Sequence, residues 1–155
     1  MMIRKPTLKD KEGLARLYVQ FWQAHPNKDP LIAIKKKPTP KNQIKAAERD
    51  LRNRNIHLFI AEDRGNVAGF IELLIKKNHK IFKVRRFGYI NSLVIGKKYR
   101  KKGVGKLLVK KAIGFFRQEK IRYVRTNVYF SNKTAAKAWP KMGFRPESMF
   151  MMKKP

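Results

Sequence analysis

The segment Leu93–Leu108, LVIGKKYRKKGVGKLL, sets two glycines one residue apart between a cluster of cations and the start of an amphipathic pattern. From Val104 onward the apolar residues Val104, Leu107, Leu108, Ala112, Phe115 and Phe116 recur at helical spacing and define one helix face. Upstream, Val84–Ile95 reads as a long strand. Gly103 and Gly105 therefore stand at a helix N-terminus directly after a strand. Backbone N–H groups there lack intrahelical acceptors and the helix dipole is positive, so the turn is prepared for an anion. Missing side chains let a phosphate approach the backbone closely. A glycine-softened turn with no ligand looks the same in sequence. The standard nucleotide fingerprints do not fit: Leu108 stands where G-x-G-x-x-G needs its third small residue, and no G-x-x-x-x-G-K-[ST] occurs.

Working outward, the elements alternate without repeats. Met2–Lys5 reads as a short strand, and Thr7 or Asp10 caps a helix carrying Leu14, Leu17, Tyr18 and Phe21. Four prolines between Pro26 and Pro40 mark an irregular connection, followed by a mostly polar surface helix, Lys41–Arg54. His57–Glu62 and Val67–Lys76 pair as a hairpin across Asp63–Asn66, and the turn Lys76–Lys80 leads into Val84–Ile95. Tyr123–Phe130 is a further strand, and Phe150–Met152 is a candidate last strand that pairs within the sheet or across a dimer, leaving the oligomeric state open.

Composition sets outer bounds. A chain of 155 residues with 43% hydrophobic content makes one domain with a real core, residues 1–155. Without cysteine there is no disulfide framework and no zinc-thiolate site, and the three histidines lack metal spacing, so no metal is expected. No stretch has the length of a signal peptide core or a membrane span, which places the protein in the cytoplasm, away from membranes. The charge is less ordinary: 39 Lys and Arg oppose 10 Asp and Glu, a net of +29. Such self-repulsion calls for compensation, and the recurring basic runs Lys35–Lys37, Arg85–Arg86 and Arg100–Lys102 point to a polyanionic partner such as RNA or the ribosome.

Arg100-Lys101-Lys102-Gly103-Val104-Gly105 resembles the [QR]-x-x-G-x-[GA] signature of the GCN5-related N-acetyltransferases (GNAT). Downstream, NKTAAKAWPKMGF resembles that family's N-x-x-A segment ending in Gly-Phe, with matches at Asn132, Ala135, Gly143 and Phe144. The resemblance implies an α/β (α+β) fold: a strongly twisted, mainly antiparallel sheet flanked by helices and splayed between strands 4 and 5, with acetyl-CoA in the gap. Val84–Ile95 would be the fourth strand and Tyr123–Phe130 the fifth. Backbone amides around Lys101, Lys102, Gly103, Val104, Gly105 and Lys106 would cradle the pyrophosphate, with Arg100 beside them. Leu93, Val94 and Ile95 would pair with the pantetheine arm, and Asn132 would contact the cofactor.

Acetyl transfer to an amine needs a neutral nucleophile, a polarised carbonyl and a route for the departing thiolate. Of the ten acids only Glu72 lies inside a predicted strand, beside Phe70 and Leu74, where desolvation would suit it to act as a water-mediated base. An exposed, lysine-paired Glu72 is the alternative. By the resemblance, the family's usual glutamate falls at Asn91, which can orient water or substrate but cannot take a proton. The family's frequent tyrosine acid falls at Trp139, followed by Pro140; Tyr129 is a candidate substitute, or the thiolate leaves unprotonated. The resemblance puts the acceptor over the first two helices and the hairpin. Positive segments there favour an acceptor carrying carboxylate or phosphate, or a protein amine presented by RNA. The competing reading is a non-catalytic nucleic-acid- or ribosome-binding module on the same fold.

Overall fold

The structure, a computed structural model, describes residues 1–24 and 33–154. Five strands form one sheet in sequence order: β1 (Met2–Arg4), β2 (His57–Asp63), β3 (Asn66–Lys77), β4 (Arg86–Ile95) and β5 (Val124–Thr126). The first four pair antiparallel and β5 joins β4 in parallel. Helices α1 (Lys11–Gln23) and α2 (Pro40–Arg52) cover one face. Helix α3 (Val104–Gln118) covers the other, and the short α4 (Lys133–Ala138) follows β5.

Alternation along the strands sorts side chains between two cores. Leu58, Ile60, Phe70 and Val94 meet Leu14, Leu17, Tyr18 and Ala47 from α1 and α2. Phe59, Ala61, Ile71, Leu73 and Ile90 meet Val104, Leu108, Ala112 and Phe116 from α3, the apolar stripe the periodicity predicts. The α3 face lies close against the sheet because position 88 carries no side chain. A Cβ there would come within 2.7 Å of the Phe116 ring, which is 1% exposed.

The helix starts follow local chemistry. Thr7 and Asp10 form a capping box around a 3-10 turn, Leu8–Asp10, that runs into α1. The Asp10 carboxylate also accepts two hydrogen bonds from Arg4, tying β1 to that turn. Thr39 caps α2 through Asn42 N–H, with Pro40 at the first helical position. This helix is less of a surface element than its polarity predicts: Ala47 and Asp50 are buried, and the Tyr18 hydroxyl donates to Asp50 at 3.1 Å.

Two strand expectations change. The predicted strand Tyr123–Phe130 pairs only over Val124–Thr126, because Thr126 Oγ1 donates to Ile90 O just where β4 departs from regular pairing. Beyond it the chain turns, with Asn132 N–H donating to Tyr129 O. Phe150–Met152 forms no strand; Phe150 and Met151 are 84% and 90% exposed and gain no sheet partner. Residues 25–32, which hold His25 and the first part of the proline-rich connection, lie outside the described residues.

Candidate active site

The site is organised by one irregularity in β4. Glu72 pairs with Ser92 and Leu73 with Ile90, which leaves Asn91 without a partner on β3, a β-bulge. On its other side β4 pairs with β5 only from Gly88 to Ile90. The outer edge of Asn91–Ile95 is therefore unpaired by sheet, as the predicted splay between strands 4 and 5 requires. Leu93, Val94 and Ile95 form the strand segment that borders this opening.

At the end of that edge the chain enters the glycine turn. Gly96 N–H donates to Ala68 O at 2.9 Å and Lys97 N–H to Gln20 Oε1 at 3.3 Å, fixing the loop root to β3 and α1. Arg100 Nε donates to Ile95 O at 3.2 Å, so the first residue of the signature pins loop to strand. Lys101 (φ 61°) and Gly103 (φ 77°) both adopt left-handed backbone, and Gly103 is the residue before α3. Alternation of this kind curls successive amides into a concave nest. Among the described residues, the amides of Lys101, Lys102, Gly103, Val104, Gly105 and Lys106 have no well-formed hydrogen bond to a protein acceptor, whereas Leu107 N–H returns to Gly103 O. These unmatched amides stand at a helix N-terminus, Val104 being buried and the rest flanked by the exposed Arg100, Lys101, Lys102 and Lys106.

Glu72 projects from β3 on the α1–α2 side and is half-buried. Asn91 Nδ2 donates to Glu72 Oε1 at 2.8 Å, so the bulge residue and the candidate base form one unit across the two strands. Burial raises the Glu72 carboxyl above its ordinary range. The Asn91 hydrogen bond opposes this, the charge of Asp50 adds to it, and Arg49 offsets it. The sequence offers Glu72 and Asn91 as separate candidates; the structure joins them and adds Asp50, which the sequence does not single out. That residue is 8% exposed, held by Tyr18 and by Arg49 at 3.2 Å, and sets part of the potential at Glu72. No local signal marks it, since an acid on a polar helix is ordinary until α1 packs over it.

The remaining candidates lie after β5. Tyr129 is half-buried and near Tyr89, whose hydroxyl is raised first by burial and then by Tyr129. Asn132 is exposed and caps α4, its Oδ1 accepting Ala135 N–H at 3.0 Å. Trp139 is 8% exposed and packs edge-on against Phe144, so a core ring occupies the position where the family resemblance looks for a tyrosine. Among the described residues no group of three or more His, Asp or Glu gathers as a metal site, and no helix is long and apolar enough to cross a membrane.

The fold that sets this open edge and this turn in one line is shared with known proteins. Residues 14–144 match the acetyltransferase (GNAT) family. The chain belongs to this family. With it comes the reaction, acetyl-CoA-dependent N-acetyl transfer. Among similar solved structures is a tetramutant of the BH1408 protein from Bacillus halodurans, 19% identical, covering 100% of both chains with a TM-score of 0.86. Aminoglycoside N-acetyltransferase AAC(6')-Iy in complex with CoA is 17% identical, covering 99% of this chain and 93% of that one, with a TM-score of 0.78. The same enzyme with a bisubstrate analogue, CoA-S-monomethyl-acetylneamine, is 18% identical over 99% and 97%, with a TM-score of 0.76. At these identities the likeness is one of fold.

Proposed function

We propose that this GNAT enzyme acetylates a protein amine, with Glu72 as its base, and that its basic surface docks the acceptor through RNA or another polyanion. The observation that carries the catalytic part is the Glu72–Asn91 pair: a half-buried carboxylate held at 2.8 Å by the bulge residue, beside the unpaired β4 edge. Acetyl-CoA supplies an activated acetyl thioester. The amides of Lys101–Lys106 are the natural holders of its diphosphate, since N–H groups at fixed spacing suit that group whatever side chains stand between them. Arg100 keeps the nest in register with the strand through Ile95 O. The backbone of Leu93–Ile95 positions the acyl arm and offers N–H donors to the carbonyl oxygen as charge develops there.

Glu72 takes the proton from the attacking amine, directly or through one water held with Asn91. A carboxyl raised by burial holds a proton more readily than an exposed one, which suits it to accept from an ammonium at neutral pH. Asn91 orients that carboxylate and supplies no proton transfer of its own. Tyr129 is the candidate donor to the departing sulfur, with Asn132 contacting the cofactor from the start of α4.

The test is Glu72→Gln. The amide keeps the shape of the side chain but cannot take a proton, so kcat/KM with an amine acceptor should fall by about a hundred- to ten-thousandfold, the range for a lost general base. Calorimetric affinity for acetyl-CoA should stay at the wild-type value. Unchanged turnover in the variant would remove Glu72 from the reaction.

A further inference from the structure

From Leu73 to Gln118 the chain carries 15 Lys and Arg and no Asp or Glu. Among the described residues none of these cations enters an ion pair. The cofactor nest accounts for the group around Lys101. A second group lies at the opposite end of β4, about 30 Å away for a ten-residue strand. There the β3–β4 connection forms an arm whose cations, Lys76 to Arg86, flank a structured tip.

The tip is closed by its own hydrogen bonds. Asn78 N–H donates to Arg85 O at 2.8 Å, Phe82 N–H to His79 O at 3.1 Å, and Arg85 Nη1 to Lys80 O at 3.2 Å. This frame holds Phe82 outward at 55% exposure, edge-on to His79. Strand register brings a second aromatic and more cations alongside. Gly88 N–H bonds Tyr123 O, setting the 60%-exposed Tyr123 at the arm's root with Arg122, and Tyr89 pairs with Arg125. Ring faces here already stack cations: Lys76 Nζ lies 3.8 Å from the Tyr89 centroid, and the Arg125 guanidinium 5.5 Å from that of Phe87.

Exposed rings interleaved with unpaired cations, and no acid to repel a phosphate, are the chemistry of single-stranded nucleic acid binding. We infer that the β3–β4 arm and the adjoining start of β5 form a docking surface for single-stranded RNA, with Phe82 and Tyr123 stacking bases. This inference rests on the polyanion reading above and gives it an address. The tip carries Ile81 at 80% exposure beside Phe82, but the cations continue from it across the arm to Arg122 and Arg125, a path along the sheet end that favours a nucleic-acid backbone over a membrane surface. The address also bears on catalysis. Lys76 and Glu72 share a face of β3, about 13 Å apart at strand spacing, so RNA on the arm would bring a bound protein's amine toward the base.

The experiment is fluorescence anisotropy with a labelled twelve-nucleotide oligouridylate. It is run on the full chain, Phe82→Ala, Tyr123→Ala, the triple variant Lys80→Gln/Lys83→Gln/Arg122→Gln, and a control, Lys110→Gln/Lys111→Gln on α3. Each aromatic variant should lose roughly tenfold in affinity, within the range for one stacked base. The triple variant should flatten the log-affinity against log-salt slope by about 2, on the basis of about 0.7 per phosphate contact. The control should match wild type, and acetyl-CoA titration of every variant should be unchanged, confirming folding. Loss in the control with the arm variants intact would overturn this placement while leaving polyanion docking in force. No RNA binding by wild type at low salt would overturn both. Preference for phosphatidylserine vesicles over the oligonucleotide would replace RNA by a membrane surface.

Discussion

Replacing Gly103 with glutamate tests the amide nest most directly. Gly103 adopts φ 77°, and a Cβ built there meets nothing within 4 Å, so the protein imposes backbone strain but no clash. Strain of this kind costs about 1–2 kcal/mol, which in a domain of this size lowers Tm by roughly 2–8 °C. The cofactor adds a second effect. A carboxylate at contact distance from a diphosphate charge is opposed by about 1 kcal/mol in water and about 4 kcal/mol at a protein surface. Taking about 2 kcal/mol for this exposed loop, acetyl-CoA affinity should fall roughly thirtyfold beyond what bulk alone does. Gly103→Gln supplies the bulk without the charge. Gly65, also at φ 77° with open space, supplies the same strain in the distant β2–β3 turn. Isothermal titration on Gly103→Glu, Gly103→Gln and Gly65→Glu therefore separates the contributions. Thermal unfolding should show all three destabilised alike, while only the first loses most of its binding, with the gap narrowing in high salt. Equal affinity for all three would mean that the diphosphate does not sit on this turn.

Other consequences follow from the same geometry. Asn91→Ala removes the donor that favours the charged form of Glu72. The acid limb of the kcat/KM profile should then move to higher pH, because a base that holds its proton more tightly is deprotonated later; a lower plateau with an unmoved limb would rule out this link. In Glu72→Gln the limb itself should vanish, which a pH series reads without reference to absolute rate. Gly88→Ala would drive a Cβ to 2.7 Å from the buried Phe116 ring. Overpacking of that order costs about 1–3 kcal/mol, so Tm should drop by several degrees, and a neutral result would mean that α3 is free to move off the sheet.

Much of this protein can be read from its order of residues, because the signals are local. The period of Val104, Leu108, Ala112 and Phe116 is the helix face that packs on the sheet, and the glycines before it mark the turn in which the amides are exposed. Hairpin chemistry at Asp63–Asn66 sets β2 against β3, and from there the family signature supplies the order of strands. Where sequence reasoning overreached, long-range pairing decided the outcome. Tyr123–Phe130 has the composition of a strand, yet sheet pairing ends at Thr126 because the partner strand bulges at Asn91, thirty-five residues earlier in the chain.

Net charge, the candidate base and the glycine turn were thus present in the sequence alone, each fixed by residue identity or short spacing. Only the tertiary structure decided what surrounds them. It turned Glu72 from one acid among ten into a half-buried carboxyl gripped by Asn91, because α1 and α2 cover that end of the sheet. It buried Asp50 under Tyr18, and it gave Trp139 to the core. It also set Arg122 and Arg125 beside the cations that precede β4, a grouping no linear pattern contains, since it depends on which residues the sheet register sets side by side.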